Sequence, residues 1–515
     1  MTENHKKIAK NTIILYLRML FIALLSFYTV RIVLDALGVE DYGIYNVVAG
    51  VVALSSFIPT ALSSATQRYF SFALGEKNQS KLEQIFSTNL IIYFMITIVS
   101  VLLLETIGFY LVKEYLKIPL EKMEVAFMLY HLSVFTFAFS IFSSPFLAII
   151  ISHEDMNIYA IISIIEAILK LSVAFFLVFL PFENLLSYGL LMMIVSFLIM
   201  IFYISISFKK YKECHIKKLE LDKKLLKEIL DFTAWTIFGS FTTIIRTHGV
   251  TILLNQMFNP TVVAARAIAV QIVGFTNIFA QNFNTALYPP IIKSYASNNK
   301  EEMYSLVYNG SKLTFFLMWI ILLPIIFKIE FLLDFWLKNA PVDAYLFAQL
   351  ALVESIIFAI SMPLTTAARA PGKMKLYELT LGTIQLLILP ASWIVLKFGF
   401  EAYWVFVVAI VANIIMFFAR LYLVSFLTGI SVLEFFKKVL VPVCIVVVLS
   451  VFSIYYLDKF FTNSIFDFII FGLLCCIVNF IIIYIFGIDK DLKIKIASFI
   501  KRKVGKNKNE IYKVK

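Results

Sequence analysis

Fourteen stretches of this chain run for about 18 residues or more with scarcely a charged side chain, and no other feature limits the fold as tightly. Roughly 20 consecutive apolar residues are what a helix needs to cross the hydrocarbon core of a bilayer. The runs are continuous instead of alternating at every second residue, which excludes an outer-membrane barrel. In lipid each backbone amide must find its partner inside its own helix, so the spans are helical. Boundaries set by charge, Pro or Gly predict spans near 11–35, 43–74, 85–112, 124–151, 156–181, 184–208, 229–258, 262–296, 308–328, 343–368, 375–397, 399–427, 438–457 and 463–486. Composition agrees, with 61% hydrophobic and 15% charged residues, against roughly 45–50% and 25% in soluble domains. The first run, Thr12 to Leu34, is longer than a signal-peptide core and is followed by no small-residue cleavage pattern, so we expect it to remain as the first span.

The net charge of +12 would suit a nucleic-acid partner if it formed a basic face. It does not. Three Lys against Glu3 lie in Met1 to Lys10, eight Lys against four acids in Lys209 to Glu228, and ten Lys or Arg against three acids in Ile488 to Lys515. The excess sits in two tails and one central loop, the distribution the positive-inside rule gives cytoplasmic segments. An even number of spans then puts both termini in the cytoplasm, with anionic membrane lipids as the contacts of these basic segments and no nucleic acid. One loop on that side departs from the rule: His153-Glu154-Asp155 has no Lys or Arg. Four cysteines, Cys214, Cys444, Cys475 and Cys476, lack metal-ligand spacing and read as packing residues.

Two segments look like copies of two others. The second span leaves the membrane through Ser71-Phe-Ala-Leu-Gly-Glu-Lys and the eighth through Ser294-Tyr-Ala-Ser-Asn-Asn-Lys; Met156-Asn-Ile-Tyr159 opens the fifth span and Met374-Lys-Leu-Tyr377 the eleventh, at almost the same spacing. This predicts an all-α polytopic protein with a lobe at 1–208, a basic linker at 209–228, a second lobe of the same topology at 229–430, two added helices at 431–486 and a basic tail at 487–515. Parallel repeats place a substrate site at the lobe interface.

The end of the first span reads Leu37-Gly-Val-Glu-Asp-Tyr-Gly-Ile-Tyr45, and the second span ends in Ala65-Thr-Gln-Arg-Tyr-Phe70. This pattern resembles the polysaccharide transporters of the multidrug/oligosaccharidyl-lipid/polysaccharide exporter superfamily, whose best-known type is the O-antigen flippase of lipopolysaccharide biosynthesis. The resemblance implies a MATE-like pair of six-helix lobes and no enzymatic activity. It also implies movement of undecaprenyl-pyrophosphate-linked oligosaccharide from the cytoplasmic to the outer leaflet of the bacterial inner membrane by alternating access. Expected neighbours are a glycan polymerase and glycosyltransferases, and the chain is expected to act as a monomer.

Ionisable side chains inside a bilayer are costly and mark transport sites. Arg18 lies in the first span. In the seventh, Thr242, Arg246, Gly249 and Gln256 share a stripe; in the eighth, Arg266, Gly274, Asn277, Gln281 and Asn284 do so. Gln67 and Arg68 close the corresponding face of the second span. An always-charged, bidentate guanidinium suits phosphate oxygens, so Arg18, Arg246 and Arg266 are the expected anion contacts, with Arg68 beside them. Gln67, Asn277, Gln281 and Asn284 offer amides to a glycan. The bland reading of Arg266 is a side chain reaching for the interface, and that of Glu166 and Lys170 a local i,i+4 ion pair.

Glu354 and Glu166 are the carboxylates placed to couple transport to Na+ or H+, and His131 and His248 are titratable groups in spans. Neither a Walker motif nor a metal-ligand cluster is present, so no cofactor is expected and an ion gradient or the membrane potential drives transport. A drug/cation antiporter of the same architecture is the alternative reading, but the intramembrane charges lean basic. An integral-membrane glycan polymerase would need a larger outer segment than the stretch from Lys328 to Val342.

Overall fold

The computed structural model describes residues 3–116, 118–177, 183–215, 222–258, 260–337, 341–461, 464–489 and 493. The basic tail past 493 and the middle of the central loop, 216–221, lie outside the described residues. Among the described residues thirteen helices are long and apolar enough to cross a membrane, and a bent pair counted as one span makes fourteen. In chain order they are α1 (Lys7–Gly38), α2 (Asp41–Ala53 with Phe57–Gly75), α3 (Gln79–Glu114), α4 (Leu120–Ser152), α5 (Met156–Leu177), α6 (Asn184–Lys210) and α7 (Lys223–Met257). There follow α8 (Thr261–Ala296), α9 (Lys300–Phe327), α10 (Val342–Arg369), α11 (Lys375–Lys397), α12 (Trp404–Thr428), α13 (Val432–Asp458) and α14 (Ile465–Gly487). The surface is lipid-like: Leu24, Phe426 and Phe466 are each 73% exposed.

Local chemistry sets the breaks. Gly38, in the Leu-Gly-x-x-x-Tyr-Gly motif, has φ 78° and ψ 168°, a backbone region essentially reserved for glycine, and there α1 ends. The segment that follows is pinned by Asp41, 3.2 Å from Lys122, which also bridges to Glu183 at 2.9 Å. Tyr45 stacks edge-on against Tyr188 at 4.7 Å. The 45° bend in α2 falls at the 3-10 turn Leu54–Ser56, just before Pro59, where the ring removes a donor from the helix ladder. Thr66 binds Asn89 (3.3 Å) and Tyr93 (3.0 Å), tying α2 to α3 inside the bilayer.

The chain forms two compact units. One comprises 10–241 and 292–299; the other comprises the described residues of 1–9, 242–291 and 300–515, so each of α7 and α8 gives part of its length to each unit. In the first unit α4 is central, packing on α2, α3, α5 and α6, and α5 packs on α6. The second repeats this six helices later, with α10 on α9 and α12, and α11 on α12; α13 and α14 lie against α9.

The repeat extends to single backbone positions. Lys77 (φ 55°) and Asn298 (φ 57°) close α2 and α8 in left-handed conformation, and Glu154 (φ 62°) and Gly372 (φ 80°) close α4 and α10. Phe72 and Tyr295, one from each exit segment, meet with ring centroids 6.4 Å apart.

The loop that lacks its own cations borrows them. Glu154 is 2.5 Å from Lys293 of α8, and its carbonyl accepts from Asn11; Asp155 is 3.0 Å from Lys210 and accepts from Tyr211. His153 lies 2.5 Å from Glu213. Burial alone would raise the Glu213 carboxyl, but hydrogen bonds from His153, its own backbone amide and Gln79 hold it below its usual range.

Candidate functional site

The predicted residues fall into two clusters, one in each unit, with a few outliers. In the first unit, α1 and α5 border an open cavity of about 380 Å³ lined by Arg18, Tyr159, Ser163, Glu166 and Lys170, with Ser26 and Thr29 adding hydroxyls from α1. Arg18 donates through Nη1 to Ser163 Oγ at 3.2 Å, and its guanidinium lies 4.3 Å from the Tyr159 ring centroid. Its Nε finds no partner among the described residues. Glu166 and Lys170 form the i,i+4 ion pair expected of them, at 2.6 Å. These three charged groups leave one net positive charge, held by Arg18 beside an open volume.

In the second unit, Arg246 of α7 pairs with Glu354 of α10 through Nη2 and Oε1, and Asn413 of α12 donates to the same Oε1 at 2.9 Å. Arg266 of α8, five residues from the start of its helix, is buried at 8% exposure. It donates through Nη1 to Thr251 Oγ1, while its Nε has no partner among the described residues.

The remaining predicted residues are dispersed. Arg68 is buried against aromatic rings, with its guanidinium 4.5 Å from the Tyr69 centroid and 5.0 Å from that of Phe72. Gln67 donates to Ser63 at 3.0 Å. On α8, Asn284 accepts from Thr366 at 3.4 Å, the side-chain oxygen of Asn277 has no partner among the described residues, and Gln281 is exposed.

Four participants escaped sequence reasoning. Tyr159 and its counterpart in the repeat, Tyr377, each hold an arginine: Tyr159 lies under Arg18, and the Tyr377 hydroxyl accepts from Arg420 Nε at 2.9 Å. The repeated Met-x-x-Tyr was the available signal. Asn413 gave none, being a lone amide in an apolar run. Glu105 is a further carboxylate within a span; it sits in a π-helical turn, Leu104–Gly108, and lies 2.8 Å from His131. No group of three or more His, Cys, Asp or Glu able to hold a metal is present among the described residues.

Solved structures of MATE and MOP superfamily transporters share this fold. One described as MATE in complex with MaD3S superimposes with a TM-score of 0.72 at 16% identity, covering 83% of this chain and 97% of that one. The outward-facing conformation of a multidrug resistance MATE family transporter of the MOP superfamily gives 0.70 at 13%, covering 84% and 98%. A MOP superfamily transporter from Pyrococcus furiosus, reported with reverse polarity of its binding pocket, gives 0.70 at 15%, covering 82% and 96%. The chain therefore has the MATE-type fold, an all-helical multi-pass membrane architecture. A MatE family profile matches residues 236–394, and the profile of the polysaccharide biosynthesis protein family matches 8–295. The chain belongs to the polysaccharide biosynthesis protein family, among the flippases and exporters of the MOP superfamily. No curated protein matches it in sequence.

Proposed function

We propose that this protein flips a lipid-linked oligosaccharide, carried on undecaprenyl pyrophosphate, from the cytoplasmic to the outer leaflet of the inner membrane by alternating access, driven by an ion gradient or the membrane potential. The observation that carries this reading is Arg18, half-buried on Tyr159 at the wall of a hydroxyl-lined cavity of about 380 Å³. A guanidinium with unused donors in a low-dielectric setting favours a phosphate oxygen over any cationic drug. Serine, threonine and tyrosine hydroxyls on the same wall suit sugar hydroxyls, and the prenyl tail needs only lipid. Membership of the polysaccharide biosynthesis family supports the glycan, and Glu166, within the cavity, is the coupling carboxylate nearest this cargo.

Reconstituted in vesicles, the protein should move a fluorescent undecaprenyl-pyrophosphate glycan to the opposite leaflet, read by enzymatic trimming from outside. Movement no faster than in protein-free vesicles would refute the reading. The basic segments set the orientation. In a Cys444→Ser background, a cysteine replacing exposed Lys212 should resist an impermeant thiol reagent applied to intact cells, and ready labelling would reverse the topology.

A further inference from the structure

Glu354 is an odd resident in a chain whose proposed cargo is anionic. Its carboxylate takes both the Arg246 guanidinium and the Asn413 amide on one oxygen, Oε1. Arg266 interacts electrostatically with both members of that ion pair and keeps its Nε unbonded. All four side chains come from spans α7, α8, α10 and α12, and each is largely buried; the Arg246 and Glu354 side chains are 21% and 16% exposed. Arg246 holds the carboxylate directly, and Arg266, bonded to Thr251, adds a second guanidinium within electrostatic range of it. The cluster holds one more positive than negative charge, and an uncompensated charge at membrane depth is costly.

Carboxylate and phosphate oxygens compete for the same guanidinium fork with the same charge-assisted geometry. We propose that Glu354 is a built-in counter-anion: it occupies Arg246 while the site is empty, and a phosphate group of the cargo displaces it, with Asn413 holding the released carboxylate. This rests on the anionic cargo of the proposed function and adds a role to a residue first read as an ion-coupling carboxylate. Exchange of one anion for another at Arg246 means that neither the empty nor the loaded state leaves that guanidinium without a counter-charge, and the incoming phosphate offsets the excess positive charge of the cluster. It also limits retention, because the returning carboxylate helps expel the phosphate.

A counter-anion and a structural brace differ in the sign of their mutational effects. Glu354→Gln keeps the shape and an acceptor for Asn413 but removes the competing charge. Asn413→Asp keeps the shape and adds a second negative charge beside Arg246. Inorganic pyrophosphate binding to the purified full-length protein, followed calorimetrically at fixed ionic strength, should tighten about tenfold in Glu354→Gln and weaken about tenfold in Asn413→Asp, the scale of one partly screened charge.

Weakened or unchanged binding in Glu354→Gln overturns the proposal, as does loss of binding in both variants together, which is what a brace predicts. Thermal melting of each variant separates misfolding from altered affinity. Failure here is distinguishable from failure of the proposed function. If Glu354→Gln binds pyrophosphate like the wild type while the vesicles still flip glycan, the counter-anion falls and the flippase stands. The opposite pair of results leaves an anion-exchanging site with a different cargo.

Discussion

Arg18→Ala should cut glycan export by about ten- to a hundredfold while leaving the protein inserted in the membrane at near-normal abundance. The size follows from what the guanidinium would provide: hydrogen bonds to a charged group contribute about 1.5–3 kcal/mol, and about 1.4 kcal/mol is a factor of ten. Arg18 is also the cation that leaves the cavity positive, since Glu166 and Lys170 neutralise one another at 2.6 Å. What the fold loses is smaller. The stacking on Tyr159 at 4.3 Å contributes on the order of 0.5–2 kcal/mol, and Ser163 keeps its own backbone acceptor, the Tyr159 carbonyl, at 2.8 Å. Arg18→Lys retains the charge without the fork and should fall between the two. Surface glycan measured alongside membrane-fraction abundance checks this, and full export by a normally abundant Arg18→Ala protein would remove Arg18 from the cargo path.

The spans were legible because lipid imposes one rule on every residue of a crossing helix, and runs such as Ile465–Ile482 obey it without help from distant sequence. The two exit segments are likewise governed locally. Both end in the same left-handed turn, at Lys77 and at Asn298, although the two turns stand two residues out of step with the sequence motif. Pairing was legible only where it is local, as at Glu166 and Lys170. Arg246 and Glu354 are far apart in the chain, and a helical stripe says which face a side chain takes but not which helix it meets. The stripe logic therefore found Arg246 while missing that a carboxylate already occupies it. Loop 153–155 misled the charge rule in the same way, because its cations arrive from α6 and α8.

Gly75→Ala should be the most damaging single-methyl change in the first unit. A Cβ at that position would sit 2.6 Å from the Lys293 carbonyl oxygen, 2.7 Å from the Ala296 Cβ and 2.9 Å from the Lys293 Cα. Two of these atoms are backbone and the third is a Cβ fixed to it, so no side-chain rotation relieves the overlap, and α2 must move away from the end of α8. Overpacking of this kind costs roughly 1–3 kcal/mol. The displacement is transmitted to neighbours already on the same joint: the Phe72 and Tyr295 rings at 6.4 Å and the Lys293 to Glu154 ion pair at 2.5 Å. Both depend on the α8 end staying against α2, so part of the ion-pair energy is lost with the packing. Gly472→Ala is the matched control, since a Cβ there meets nothing within 4 Å and alanine is the better helix former by about 1 kcal/mol. Melting of the purified variants in detergent should place Gly75→Ala well below the wild type and Gly472→Ala at or above it. Equal melting of the two would mean that the close approach of α2 and α8 does not hold this unit together, and that the meeting of repeated motifs there is incidental to stability.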